Sequence, residues 1–206
     1  MEVCSIILSA GKGSRMFSDI PKPLHLISGK TMLERVIDAN KSANIKKCII
    51  VIPENCEAFK GICHDFETVV QKIPKGTGDA VKKASNLLKK FTGVILVCFG
   101  DTPFLTSETF KRVIKALDNK TKLVITGFKK FEKNNYGKII FSNKNEPIEI
   151  IEQKDAEVRN IHSEFCNGGV MAIHSSIINQ LNKIQENLIS KEYYLTDLVN
   201  ILNKEN

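Results

Sequence analysis

The first half of the chain alternates short apolar runs with segments of helical periodicity, and this alternation restricts the fold more than any other feature. Val3–Leu8 is apolar except for Ser5, Cys48–Ile52 is typical of a buried strand, and Val94–Phe99 is a continuous apolar run, as in strands that are buried on both faces. Between the first two, Thr31–Ala43 carries apolar residues at helical spacing. Strands that alternate with crossover helices build parallel sheets with helices on both faces. We therefore predict an α/β fold with a mostly parallel sheet.

The pattern changes after the apolar run Leu123–Thr126. The segments Tyr136–Ser142 and Ile148–Glu152 are typical of a small β-hairpin insert, and Val170–Ile173 of a further strand. A helix is expected over Ser176–Asn187. The sequence contains no internal repeat and no low-complexity linker, which favours a single folding unit.

The length and composition agree with one globular domain, which we predict over residues 1–206. Hydrophobic residues make up 42% and charged residues 26% of the chain, values that exclude wholesale disorder. No apolar run approaches the roughly 20 residues that cross a bilayer. Met1–Leu8 lacks the basic start of a signal peptide. We expect a cytoplasmic protein without a membrane partner.

The positive charge raises the question of a nucleic-acid partner. Thirty Lys and Arg residues against 23 Asp and Glu give 30 − 23 = +7, but only four of the 30 are arginines. Proteins that read base edges and phosphate backbones commonly use the forked guanidinium group of arginine. We therefore expect no nucleic-acid partner. The charge then reflects either a solvated lysine-rich surface or a local field that attracts an anionic small molecule.

The six cysteines show no CxxC pair and no histidine at ligand spacing. Disulfides and structural zinc are therefore not expected. Cys4, Cys48 and Cys98 lie within apolar runs and are predicted to be small buried hydrophobic residues.

The segment Leu8–Met16 is a glycine-rich loop that directly follows the first predicted strand. Backbone N–H groups of such a loop close around phosphate oxygens, because glycine permits close approach and unusual dihedral angles. The segment lacks the third glycine of the dinucleotide fingerprint, and Gly11 and Gly13 alone are also compatible with an ordinary tight turn. Nearby Arg15 and Lys22, the latter between two prolines, favour the phosphate interpretation.

Asp101 follows the central apolar strand within the segment Phe99–Pro103. Ligands of open α/β sheets gather at this end of the strands. A carboxylate there can hold Mg²⁺, which needs only one or two protein carboxylates beside substrate phosphates. The alternative is that Asp101 caps a helix or forms a turn before Pro103.

Seven ordered blocks extend over essentially the whole chain. They are Leu8–Met16 with Asp19–His25, Gly76–Ala80, Gly100–Pro103, Asn135–Ile139, Ile151–Ala156, Asn167–Gly169 and Glu192–Asp197. Together they resemble the signature of sugar-1-phosphate nucleotidyltransferases. More narrowly, the set is similar to the uridylyltransferase domain of the bacterial bifunctional N-acetylglucosamine-1-phosphate uridylyltransferase/glucosamine-1-phosphate acetyltransferase.

This resemblance implies a Rossmann-like domain of nucleotide-diphospho-sugar transferase type, with a mixed sheet and Mg²⁺ as cofactor. The implied reaction joins UTP and N-acetylglucosamine 1-phosphate to give UDP-N-acetylglucosamine and pyrophosphate. A phosphate oxygen attacks the α-phosphorus in line, so the protein must supply positioning and positive charge rather than a nucleophile.

By the same resemblance, each matching position has an expected role. Arg15 and Lys22 match the catalytic basic pair, and Asp101 matches the metal-binding aspartate. The nucleotide would be bound by Ala10, Gly11, Gly13, Gln71, Gly76 and Thr77, with Gln71 reading the uracil. The amino sugar would be bound by Gly137, Glu152, Asn167 and Thr196.

The sequence departs from the family pattern in three ways. Pro74 stands where a second uracil-contacting glutamine is usual, no position matches the second metal ligand (an asparagine), and the hexapeptide-repeat acetyltransferase domain is not expected. Two alternatives therefore stay open: a related nucleotidyltransferase with another base or sugar, and a non-catalytic module that binds a sugar nucleotide.

Overall fold

The computed structural model describes residues 1–11, 13, 16–54, 57–118, 120–132 and 134–205. The strands are β1 (Glu2–Leu8), β2 (Leu26–Ile27), β3 (Lys30–Thr31), β4 (Lys47–Pro53), β5 (Glu67–Gln71), β6 (Gly93–Phe99), β7 (Leu123–Lys129), β8 (Lys138–Phe141), β9 (Pro147–Ile151) and β10 (Phe165–His174). The α-helices are α1 (Met32–Ser42), α2 (Lys60–Cys63), α3 (Thr77–Ser85), α4 (Ser107–Lys115), α5 (Gln153–Val158) and α6 (Asp197–Asn203). Short 3₁₀ helices cover Lys22–Leu24, Glu57–Phe59, Asn86–Leu88 and Ser175–Lys183.

The first half of the chain forms the parallel part of an eight-stranded sheet. Strand β1 lies between β4 and β6 and is parallel to both, and β5 pairs in parallel with the outer side of β4. In register, Ile6 lies opposite Ile49 on one side and Val97 on the other. Because these three strands are buried on both faces, their central residues are apolar, apart from the buried Ser5 of β1.

The second half adds antiparallel strands. Strand β10 pairs with β6 and carries both β7 and β8, while β8 and β9 form an antiparallel hairpin at the end of the sheet. The predicted mixed sheet and the predicted hairpin insert are both present. The pairing of β10 with β7 shifts register between Asn167 and Met171, which bends the strand beside the hairpin.

Helices cover both faces of the sheet. On one face Leu33 of α1 and Phe110 of α4 are fully buried, and on the other face Val81 of α3 and Leu198 of α6 are fully buried. Alternate residues of each central strand contribute to the two cores, as the period-2 geometry of a strand requires. In the part of the chain that the structure describes, no helix has the length and apolar character needed to cross a membrane.

The predicted cysteine burial is confirmed. Cys4 and Cys98 are fully buried and Cys48 is 9% exposed. Burial raises the pKa of the Cys4 and Cys98 thiols to about 12 and that of Cys48 to about 11, so these thiols stay protonated at neutral pH.

Local signals explain where two helical segments begin and end. Helix α1 starts after Thr31 because the Thr31 hydroxyl accepts the Glu34 N–H and the Glu34 carboxylate accepts the Thr31 N–H.

The helix expected over Ser176–Asn187 is instead a 3₁₀ helix that ends at Lys183. Its serine, asparagine and β-branched isoleucine residues are weak α-helix formers, so local propensity does not sustain a longer helix.

Candidate active site

A cleft of about 1100 Å³ opens at the carboxyl ends of β1, β5 and β6. Ala10 and Gly11 follow β1, Gln71 is the last residue of β5, and Asp101 comes two residues after β6. Because β1, β5 and β6 are parallel strands of one sheet, these three chain segments leave it at the same edge. The predicted residues that line the cleft are Ala10, Gly11, Gly13, Lys22, Gln71, Gly76, Thr77 and Asp101.

The backbone of the glycine-rich loop passes close to Lys22. Gly13 has φ +58°, and a Cβ at this position would lie 2.8 Å from the Lys22 Cβ. Glycine therefore permits a backbone approach that any other residue would obstruct. Arg15, the other half of the predicted basic pair, lies outside the described residues, so its role stays a prediction.

Lys22 and Asp101 form an ion pair within the cleft. The Lys22 Nζ lies 2.6 Å from the Asp101 Oδ2, and the two side chains are 36% and 28% exposed. Thr106, and not Asp101, caps the following helix α4 through its hydroxyl. Asp101 therefore does not cap a helix, but it does lie in the turn that follows β6, as the other half of that alternative predicted. Its carboxylate contacts the Lys22 ammonium within the cleft.

Gln71 also lines the cleft, and two hydrogen bonds hold its side chain in place. It is 4% exposed, and its Nε2 donates to the Gly76 carbonyl at 3.1 Å and to the Asp79 Oδ2 at 2.8 Å. Gly76 has φ +97°, and a Cβ there would meet the Tyr193 carbonyl oxygen at 2.5 Å. Close backbone packing thus accounts for glycine at this position.

The loop before α3 is bound to the segment that precedes α6. The Thr77 hydroxyl accepts the Leu195 N–H at 2.9 Å, and the Gly78 N–H donates to the Tyr193 carbonyl at 2.8 Å. Tyr193 N–H in turn donates to the Lys75 carbonyl at 2.8 Å. The Thr77 oxygen therefore has a structural contact, while its O–H remains a donor for a ligand.

The four predicted sugar residues form a second group, which does not line the main cleft. The Asn167 N–H donates to the Gly137 carbonyl at 2.8 Å, and the Thr196 hydroxyl donates to the Glu152 Oε1 at 2.9 Å. A Cβ at Gly137 would lie 3.3 Å from the Glu152 Oε2. Tyr136, adjacent to Gly137, does line the cleft, so the group adjoins it.

Burial and neighbouring carboxylates determine the electrostatics of this second group. Burial raises the pKa of Glu152, and the Thr196 hydrogen bond opposes that shift. Burial, followed by the negative charges of Glu152, Asp155 and Glu149, raises the pKa of Asp197 to about 6. The group is thus rich in acceptors, which suits a ligand with hydroxyl donors.

The described residues contain no cluster of three or more His, Cys, Asp or Glu side chains that could enclose a metal ion. Asp101 and Glu192 are the carboxylates among the described residues that line the cleft. One or two carboxylates suit Mg²⁺, because this ion keeps several waters and takes its other ligands from substrate phosphates.

Several cleft residues were not predicted from the sequence. Lys130, Asn134, Tyr136 and Glu192 line the cleft beside the predicted residues. Tyr136 and Glu192 lie within two of the seven sequence blocks, and this position was the one sequence feature that could have indicated a place in the cleft. Lys130 stands in a lysine-rich stretch that carries no pattern separating a cleft residue from a surface residue.

Comparison with known proteins gives a consistent family assignment. The MobA-like NTP transferase domain matches residues 5–184. Among curated proteins, the chain is 36% identical over 211 residues to the bifunctional protein GlmU of Ruegeria sp. (strain TM1040), covering 100% of the chain and 46% of that protein. It is 38% identical over 213 residues to the bifunctional protein GlmU of Buchnera aphidicola subsp. Schizaphis graminum, covering 100% and 44%. The chain thus spans a little under half the length of these relatives.

A solved structure supports the fold. The crystal structure of UDP-glucose pyrophosphorylase complexed with UDP-glucose superposes with a TM-score of 0.80 at 18% identity, covering 100% of this chain and 88% of that chain. The predicted nucleotide-diphospho-sugar transferase fold is therefore confirmed.

Proposed function

The chain belongs to the MobA-like NTP transferase domain family, and we propose that it joins UTP to N-acetylglucosamine 1-phosphate, giving UDP-N-acetylglucosamine and pyrophosphate. A phosphate oxygen of the sugar phosphate forms a bond to the α-phosphorus of UTP, and the bond from that phosphorus to the pyrophosphate breaks. This choice of reaction is supported by two relatives named bifunctional protein GlmU, each of which matches this chain over its whole length.

The observation that carries the proposal is the juxtaposition of Gly13, Lys22 and Asp101 at one cleft. A glycine-rich backbone, a cation and a carboxylate within a few ångströms match the needs of a triphosphate. Lys22 would orient the α-phosphate and stabilise the charge that develops in the transition state. Arg15 would serve the same purpose from the loop.

Asp101 would hold Mg²⁺ together with phosphate oxygens and water. When bound, the ion neutralises phosphate charge and stabilises the pyrophosphate leaving group. Lys22, which is paired with Asp101 at 2.6 Å, would then donate to phosphate oxygens.

The acceptor-rich group beside the cleft would bind the sugar. The Glu152 carboxylate would accept hydrogen bonds from sugar hydroxyls, and the Asn167 amide N–H groups remain available as donors because its Oδ1 accepts the Gly169 N–H at 3.1 Å. Sites that hydrogen-bond a substrate hydroxyl reject analogues without it strongly. The carbohydrate preference therefore depends on Glu152 and Asn167.

The test is release of pyrophosphate by purified protein supplied with UTP, N-acetylglucosamine 1-phosphate and MgCl₂. Lys22→Ala should lower kcat/KM by about 100-fold or more, the effect of losing one preorganised electrostatic group. Lys111→Ala removes the same charge from the exposed face of α4 and should leave the rate unchanged. Wild-type release no higher than that of Lys22→Ala would refute the proposal.

A second candidate, a related transferase with another base, is favoured by one observation. Pro74 lines the cleft and offers no side-chain hydrogen bond to a base. A panel of UTP, CTP, ATP, GTP and dTTP, each with N-acetylglucosamine 1-phosphate, separates the two candidates. A higher kcat/KM with any nucleotide other than UTP would select the second.

A further inference from the structure

We propose that Asp79 is a positioning residue that determines base specificity: its carboxylate holds the Gln71 amide so that an oxygen acceptor, and not an N–H donor, faces the cleft. Asp79 itself does not line the cleft. It therefore acts on the base through Gln71. The inference rests on the function proposed above, because it concerns the base subsite of the same cleft.

Both N–H groups of the Gln71 side-chain amide are already hydrogen-bonded within the protein. A glutamine amide has two N–H donors and one oxygen acceptor. Its Nε2 lies 3.1 Å from the Gly76 carbonyl oxygen and 2.8 Å from the Asp79 Oδ2, so both hydrogens are donated within the protein. No described residue donates a hydrogen bond to Gln71 Oε1. This oxygen is the polar atom that the side chain can present to a base.

The Asp79 carboxylate is itself restrained by contacts of both its oxygens. Its Oδ1 pairs with the Lys83 ammonium one helical turn later, while its Oδ2 accepts from Gln71. The Asp79 side chain is only 17% exposed, so neither oxygen rotates freely into solvent. The carboxylate also lies in the first turn of α3, where the helix dipole favours negative charge. Asp79 is thus held in place, with one carboxylate oxygen on Gln71 and the other on Lys83.

Uracil and cytosine differ in the hydrogen-bonding group that they would present to Gln71. Uracil carries an N–H donor at ring position 3, whereas cytosine carries a lone pair there. An acceptor held opposite this position pairs with uracil and opposes cytosine. A mismatched buried polar pair discriminates far better than an apolar contact. Because Pro74 supplies no second polar contact, the orientation of Gln71 carries the discrimination.

Asp79→Asn tests the inference, because asparagine keeps the shape but loses the charge and can itself donate. We expect the ratio of kcat/KM for UTP over CTP to fall by about ten-fold or more. The KM for N-acetylglucosamine 1-phosphate should stay within about two-fold, since we assign the sugar to Glu152 and Asn167 and not to Gln71. Lys82→Ala, an exposed position on the same helix, is the matched control and should keep the wild-type ratio.

A merely structural role of Asp79 gives a different result. Asp79→Asn would then lower the thermal midpoint without changing the UTP to CTP ratio, and that outcome overturns the inference. Lys83→Ala is the second variant should Asp79→Asn not fold. It frees one carboxylate oxygen but keeps the Gln71 contact, so the ratio should fall by less than in Asp79→Asn; an unchanged ratio in Lys83→Ala also counts against the inference.

Calorimetric binding of UTP and CTP to the full chain separates this inference from the proposed function. Preferential UTP binding without pyrophosphate release refutes the transferase function while leaving the Asp79 effect measurable in the binding ratio. Equal binding of UTP and CTP by the wild type overturns the Asp79 inference whether or not turnover occurs.

Discussion

At the residue scale, the Lys22–Asp101 pair is placed for chemistry more than for stability. Both side chains are partly exposed, and ion pairs of this kind contribute only about 0–1 kcal/mol to folding. A buried apolar residue of either core contributes more. The pair therefore has little structural reason to lie in the cleft, which agrees with the role proposed for it.

Asp101→Asn should accordingly lower turnover by about 100-fold while shifting the thermal midpoint by no more than about 2–4 °C. Pyrophosphate release and calorimetric unfolding measure the two effects separately. Asp38→Asn is the matched control, because Asp38 forms a surface ion pair with Lys30 at the same distance of 2.6 Å. A large loss of stability in Asp101→Asn with full activity would contradict the assignment.

At the element scale, the loop before α3 shows how a backbone contact can restrict a residue type. Gly76 combines φ +97° with a Cβ position only 2.5 Å from the Tyr193 carbonyl. Neither the dihedral angle nor the contact is available to another residue without movement of the loop. The same loop carries the Gly76 carbonyl, which accepts a hydrogen bond from Gln71, so the position of the loop matters for the proposed base subsite.

Gly76→Ala should destabilise the protein by about 2–4 kcal/mol, because the unfavourable dihedral and the backbone overlap act together. Denaturant unfolding provides the measurement. Gly61→Ala is the control, since a Cβ at Gly61 meets nothing within 4 Å and alanine favours the helix there. Equal stability of the two variants would show that the loop adapts to a Cβ at Gly76.

At the scale of the whole molecule, the carboxylates beside the cleft make the free energy of unfolding depend on pH. Asp197 at the start of α6 faces the carboxylates of Glu149, Glu152 and Asp155, and its pKa is raised from 3.8 to about 6. Between these two values the folded state binds more protons than the unfolded state. Stability therefore falls as pH rises through this window.

Asp197→Asn should remove much of this dependence. We expect the variant to unfold at a temperature at least about 2 °C higher than the wild type at pH 8, with a smaller difference at pH 4. Calorimetry across pH 4–8 provides the curve. Asp65→Asn, at a side chain that is 76% exposed, should follow the wild-type curve. A wild-type midpoint that rises steadily from pH 4 to pH 7 would contradict the sign of the effect.

Much of the fold and part of the site follow from local sequence. Apolar runs, interrupted in β1 by Ser5, predicted the central strands, because burial on both faces favours apolar residues. The glycine-rich loop and Asp101 were recognisable because each directly follows a predicted strand. Lys130 and Glu192 were not, because a charged residue has the same local pattern in a cleft and on a surface. Asp79 belongs to a motif block, yet nothing local indicates its bond to Gln71.

The sequence by itself determined the alternation of strands and helices, the glycine-rich loop and the types of residue available for a phosphate site. Only the tertiary structure decided which of them meet. Lys22 contacts Asp101, Thr196 contacts Glu152, and Thr77 at the start of α3 is bound to Leu195, all across long separations in sequence. Periodicity is a local property of the chain, whereas these contacts depend on the order of strands in the sheet, which brings distant carboxyl ends to one edge.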